Sequence, residues 1–276
     1  MLRTVLLIVI GLLVAACDRA NQNPAEENDS AEAASPKPVA YYEYLWCKEG
    51  ENNNDETVAA FVADWNKALD GLEQTLSGAF AYIPRGWESE DFDGLWVLRW
   101  PDKDTMQRGW SNYAESGTDQ SLAEAHPGVL TCGNEAGVNR FGFDLYAPIE
   151  VPDGFANESP YFLQNQFCTF NEGKVPEDLT EVIREDFLPV IRAGKEQGIY
   201  SSYWFMVGVP DGFEPAQPMD FNWIDFWNTA DEGPTETAFF EGSKDGQAVM
   251  ERFNEVMTCS ERQPWDGYVL RNAEAT

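Results

Sequence analysis

Histidine is nearly missing from this chain of 276 residues: His126 is the only one. Sites that need two or more imidazole ligands are thereby excluded, and at most one imidazole is available as a base or an axial ligand. Positive charge is scarce as well, with 18 Lys and Arg against 48 Asp and Glu and a formal charge of −30. A field of that sign repels phosphate backbones and anionic headgroups, which argues against nucleic-acid binding and against electrostatic docking to a membrane. A carboxylate-rich surface that stays hydrated in a salty habitat is the plainest reading of the acidity. The chain has no Gly-rich phosphate loop, no GxSxG elbow, no HExxH pair and no CxxC knuckle. It also has no apolar run of the roughly 20 residues that a permanent transmembrane helix needs.

What the N-terminus does have is a short head carrying Arg3, an apolar stretch over 5–14, the small residues Ala15 and Ala16, and then Cys17. Basic, apolar and small, in that order, is the pattern of a secretory signal. Val14-Ala-Ala-Cys17 resembles the lipobox of bacterial lipoproteins, which implies removal of 1–16 and acylation of the Cys17 thiol. Asp18, the next residue, resembles an inner-membrane retention signal and slightly favours that membrane on the periplasmic side. Residues 18–38 are rich in Ala, Glu, Asn, Ser and Pro without apolar periodicity, too polar to offset their ordering entropy, and read as a disordered tether.

The rest of the chain, from Val39, repeats itself. Landmarks recur in the same order in 39–150 and 151–276: Cys47 with Cys168; Pro84, Gly86, Trp87 and Glu88 with Pro210, Gly212, Phe213 and Glu214; Asp91 with Asp220; and Cys132 with Cys259. Periodicity within each half predicts strand, helix, strand, strand, helix, strand. These elements fall over 41–49, 55–71, 76–84, 92–100, 104–116 and 139–146, then over 162–170, 176–194, 200–209, 220–229, 244–257 and 265–271. That order is the α+β ferredoxin-like plait, a four-stranded sheet with helices on one face. Two tandem copies can cover each other's open faces. The whole resembles the dimeric α/β-barrel superfamily with both protomers fused in one chain, which implies a monomer.

In such a plait the end of the first strand lies beside the start of the fourth, so the resemblance implies the disulfides Cys47–Cys132 and Cys168–Cys259. An oxidising envelope permits them. Four cysteines on one metal ion is the rival arrangement, opposed by their spacing.

Relatives of the superfamily that bind haem use an axial histidine, a role that only His126 could fill. Its setting, between Glu124 and Pro127 at a helix end, favours packing or capping instead. The acidic stretches Glu88–Gly94 and Asp102–Asp104 lack the fixed ligand series of an EF-hand and read as solvated turns. The best candidate for a ligand surface is aromatic: Trp96 and Trp100 on one third strand, Trp223, Asp225 and Trp227 on the other, and Tyr82 and Tyr203 on the second strands. Arg99 and Asn228 are placed on the opposite face. Solid packing between sheets explains the same rings.

Three functions remain open on these residues. The favoured one is a lipid-anchored, non-enzymatic envelope protein that binds a small hydrophobic ligand or an envelope protein and needs no cofactor. The second is a monooxygenase-like barrel enzyme acting on a hydrophobic aromatic substrate, without a cofactor or with haem on His126. A structural envelope scaffold is the third. The fold by itself does not choose among them.

Overall fold

Alternation of side chains along the first strand, β1 (Ala40–Glu49), assigns its two faces. Tyr41, Leu45 and Cys47 point to one side and pack with Trp65 and Leu69 of helix α1 (Asp55–Asp70), while Tyr42 and Tyr44 point to the other. The structure is a computed structural model that describes residues 37–72, 76–156, 159–215 and 217–272. Cys17 and nearly all of the expected tether lie outside the described residues.

Helix α1 begins where Asn54 accepts from the amides of Glu56 and Thr57, with Asp55 and Glu56 in the first turn, where carboxylates complement the helix dipole. Strands β2 (Gly78–Pro84) and β3 (Gly94–Trp100) follow, then helices α2 (Lys103–Ser116) and α3 (Thr118–Ala125), the short β4 (Leu130–Cys132) and β5 (Arg140–Tyr146). The second half repeats the series with β6 (Tyr161–Phe170), α4 (Pro176–Val182), a π-helical stretch over Ile183–Phe187, and α5 (Leu188–Glu196). Strands β7 (Trp204–Asp211) and β8 (Phe221–Trp227), helices α6 (Glu232–Gly242) and α7 (Lys244–Val256), and strands β9 (Met257–Cys259) and β10 (Gln263–Asn272) complete it.

Within the first repeat the strands are ordered β2, β3, β1, β5, all antiparallel. The two sheets meet at their edges: β2 pairs with β10 and β5 with β7, which closes eight antiparallel strands into one barrel. Closure removes the exposed edges that two separate plaits would keep. Three apolar clusters result. Tyr42, Tyr82, Phe143, Tyr161, Trp204 and Phe226 belong to the one inside the barrel. The other two lie between each sheet and its own helices.

Both disulfides are present, Cys47–Cys132 and Cys168–Cys259, and each joins directly opposed residues of the pairs β1–β4 and β6–β9. The metal alternative for the cysteines is thereby overturned, because no thiolate remains to ligate. Periodicity did not reveal α3 or α6. In α6 the apolar residues fall outside helical spacing, and Gly233 and Pro234 stand in its first turn.

The alignment of the halves also shifts by two residues at one landmark. Asp220 corresponds to Asp93, not Asp91: Asp93 accepts from the amide of Glu49 at 2.8 Å, and Asp220 from that of Phe170 at 2.7 Å. Each carboxylate ties the end of a first strand to the start of a third. Asp102 caps α2 by accepting from the amide of Thr105.

Barrel closure depends on one close approach. Gly267 in β10 stands between Tyr82 and Tyr161 in the ladder, and a β-carbon there would lie 2.2 Å from the Tyr161 ring. Tyr161 is 2% exposed and has no room to withdraw. Gly267→Ala is therefore expected to cost about 1–3 kcal/mol by overpacking. The urea midpoint would fall with its slope unchanged; an unmoved midpoint would refute the argument.

Candidate functional site

Two cavities are lined by the candidate residues or by the repeated landmarks. The larger, about 350 Å³, opens into the barrel between the repeats. Its walls come from alternate residues of both sheets, among them Tyr44, Tyr82, Phe143, Asn222, Ile224 and Trp265. The repeated Pro-x-Gly-aromatic-Glu landmark forms its rim. Gly86 and Gly212, at φ +76° and +75°, turn each loop in the left-handed region. The turn carries Trp87 edge-on to Trp265, 4.7 Å between centroids, and Phe213 to 5.0 Å from Phe141. Trp87 Nε1 donates to the Pro264 carbonyl at 2.8 Å, which fixes the ring at the mouth.

Two polar atoms in this wall lack partners. The Tyr44 hydroxyl and Asn222 Oδ1 make no hydrogen bond, although Tyr44 is 7% and Asn222 5% exposed. Burial raises the pKa of Tyr44 well above the ordinary phenol value, with Tyr82 and Tyr42 adding to it, so its hydroxyl keeps its proton.

The second cavity, about 270 Å³, lies between the second sheet and helices α5 to α7. Tyr203, Trp223, Asp225 and Trp227 all line it. Asp225 Oδ1 accepts from the Tyr203 hydroxyl at 2.7 Å and from Trp223 Nε1 at 2.8 Å. Trp227 Nε1 donates to Glu236 at 2.9 Å, and Glu236 also accepts from the amide of Tyr200. Burial pushes both carboxyls above their ordinary range, against the pull of these hydrogen bonds.

The eight aromatic-surface candidates therefore separate. Four line the second-repeat cavity and Tyr82 lines the barrel cavity, but Trp96, Trp100 and Arg99 line neither. Trp96 packs edge-on to Trp65 at 5.0 Å, and Trp100 donates from Nε1 to Glu43 at 2.9 Å. Both belong to the sheet–helix core of the first repeat, where α1 fills the space. Arg99 donates to the Ser77 carbonyl and lies over Phe80. Its counterpart by strand position is Phe226, not Asn228, which follows β8 and accepts from the amide of Ala156. Sequence reasoning missed the helix-borne lining residues Phe187, Glu236 and Phe240, since no strand periodicity reaches them.

His126 caps the end of α3. Its Nε2 lies 2.9 Å from Asp64 Oδ2, and its ring stands edge-on to Phe61. It borders neither cavity. A haem held by histidine therefore has no ligand at either cavity, and that alternative does not fit these residues. No cluster of metal-ligating side chains occurs among the described residues, which bears on the acidic turns as well. No helix among them is long and apolar enough to cross a membrane.

The architecture defines the chain as a fused, duplicated ferredoxin-like barrel with one cavity inside the barrel and one behind its second sheet. No family model matches it, and no curated protein does. Among solved structures it is similar to a proposed monooxygenase from Lactobacillus acidophilus, with TM-score 0.48 and 6% identity over 86% of this chain and 95% of that one. It is similar to a mutant chlorite dismutase from Candidatus Nitrospira defluvii, with TM-score 0.46 and 10% identity over 85% and 93%. A haem-binding protein from Thermus thermophilus matches with TM-score 0.45 and 8% identity over 86% and 94%. At such values no substrate, cofactor or residue role passes from them to this chain, and the barrel rests on its own strand pairing.

Proposed function

We propose that this protein is a small-molecule-binding protein of the bacterial envelope, tethered through a lipid on Cys17, and that the barrel cavity receives a planar, mostly apolar ligand. The observation that carries the reading is the pair of unpartnered buried atoms, the Tyr44 hydroxyl and Asn222 Oδ1, in a wall made mostly of aromatic and aliphatic side chains. Leaving a buried polar atom unpaired costs about 1–3 kcal/mol, and a fold has no reason to carry two in one wall unless a bound group completes them. A ligand with one donor for Asn222 and one polar group for Tyr44 would meet that need. The rings around it supply apolar contact and edge-to-face geometry.

The reading favours binding over turnover. Asp91, the one carboxylate of the lining, is exposed to solvent, and the one imidazole lies elsewhere. Titration with 2-naphthol, followed by quenching of tryptophan emission, tests it. Tyr44→Phe and Asn222→Leu are each expected to weaken binding about 5- to 20-fold, one hydrogen bond's worth, without lowering the melting temperature of the free protein. Unchanged affinity in both variants would remove the barrel cavity as the site.

A further inference from the structure

The two repeats treat one position differently. In the first, Glu43 of β1 is buried against the helices and accepts from Trp100 Nε1 at 2.9 Å and Trp110 Nε1 at 2.6 Å. Arg140 brings its Nε to 3.4 Å from Glu43 and lies 4.5 Å over the Trp110 ring. A niche of indoles and one buried carboxylate is thus filled by the chain's own cation.

In the second repeat the counterpart of Arg140 is Arg262. Arg140 stands opposite Leu45, two residues before Cys47. Arg262 precedes Gln263, which stands opposite Asn165, so it falls beside Gln166, two residues before Cys168. Arg262 turns outward and pairs with Glu241 at 2.8 Å. Behind it lies the 270 Å³ cavity, walled by Tyr200, Tyr203, Trp223, Trp227, Asp225 and Glu236. An aromatic and acidic niche recurs here, but its arginine, Arg262, stands in the cavity wall paired with the half-exposed Glu241 and not with the inner carboxylate.

Asp225 marks the difference most sharply, for its counterpart in β3 is Leu98. Both of its hydrogen bonds come from neutral donors and land on Oδ1, while Oδ2 receives none from the described residues. An asparagine would satisfy the same two donors without bringing a charge out of water. Other charges near it are already engaged: Glu236 with Trp227 and Tyr200, Lys195 with the Tyr203 carbonyl, and Arg262 with Glu241. Arg262 acts on this carboxylate from a distance, but no cation among the described residues forms an ion pair with it, and burial of a charge without a direct partner is costly.

We infer that the second-repeat cavity binds a small organic cation, an alkylated ammonium group held against the faces of Trp223, Trp227 and Tyr203 with Asp225 as its counter-ion. Indole and phenol faces attract a cation through the ring quadrupole, most strongly when the pair is shielded from water. An alkylated ammonium is preferred over a metal ion because the wall is largely aromatic and no three metal-ligating side chains cluster there among the described residues. This site is separate from the barrel cavity, and its fate does not depend on the ligand there.

Calorimetric titration of the purified protein with choline and with 3,3-dimethyl-1-butanol tests the inference, because the two differ in charge at nearly the same shape. Choline should bind one per chain, and the neutral isostere at least tenfold more weakly. Asp225→Asn should remove that discrimination while retaining the native circular dichroism. If that variant does not fold, Glu236→Gln should weaken choline binding severalfold. Equal affinity for the two probes, undiminished choline binding by a folded Asp225→Asn, or no choline binding up to ten millimolar would each overturn it.

Discussion

Replacing Cys168 and Cys259 together by alanine is expected to lower the unfolding free energy by about 4 kcal/mol. The bridge joins residues 91 apart in sequence, so it restricts much of the unfolded chain of the second repeat. Closure entropy grows only with the logarithm of loop length. The Cys47–Cys132 bridge, spanning 85 residues, should therefore contribute almost the same amount. Beyond stability, β9 precedes Arg262, and Cys259 lines the cavity wall. Losing the second bridge should loosen that wall, whereas losing the first should leave it alone. Urea unfolding of the two double variants checks both statements. A loss under about 1 kcal/mol in either would mean that the unfolded state is already compact enough to make the bridge redundant.

Arg140→Met should destabilise the fold by about 3–5 kcal/mol at neutral pH, because it leaves Glu43 buried with no cation beside it. The ion pair spans 3.4 Å, and the Glu43 side chain is 4% exposed, so water does not replace the guanidinium. The effect carries a pH signature. Burial raises the Glu43 pKa above the ordinary carboxylate range, against the pull of Trp110, Arg140 and Trp100. A carboxyl whose folded value is raised favours the fold while it is protonated, and loses that advantage as pH rises through the folded value. Removing Arg140 raises the folded value further. The destabilisation should therefore be small near pH 4 and grow toward pH 7. Combining Arg140→Met with Glu43→Gln should recover most of it, because the amide still accepts from both indoles, and Gln164 already stands at the matching position of β6. Chemical denaturation at both pH values measures the difference. A variant equally weak at both would show that Arg140 acts by packing over Trp110 and not by charge.

The repeat and the order of its elements were legible in the chain because each is a local or periodic signal, and the cysteine pairing followed from the plait that this order resembles. Alternation along β1 and β8 assigned faces, and Cys47 and Cys168 closed equivalent strands. The same alternation placed Trp96 and Trp223 alike, yet one is core and the other lines a cavity. Their own strands do not differ at that point. What differs is the cover: α1 carries Trp65 against Trp96, while Phe187 of the π-helical stretch and Phe253 of α7 meet Trp223 beside the cavity.

The amino-acid sequence by itself determined the composition-level exclusions and the repeated order of elements, since spacing and residue type suffice for those, and the bridges followed from the plait that this order resembles. Only the tertiary structure decided that β2 meets β10 and β5 meets β7, and that Trp87 and Phe213 close on one mouth. It alone decided that Arg140 pairs with the buried Glu43 while Arg262 pairs with the half-exposed Glu241. The physical reason is that cavities and buried charges are properties of opposed surfaces. A side chain is a wall, a plug or a counter-ion according to what stands across from it, and the residues that share the cavity with Asp225 come from strands and helices as far away in the chain as Gln166.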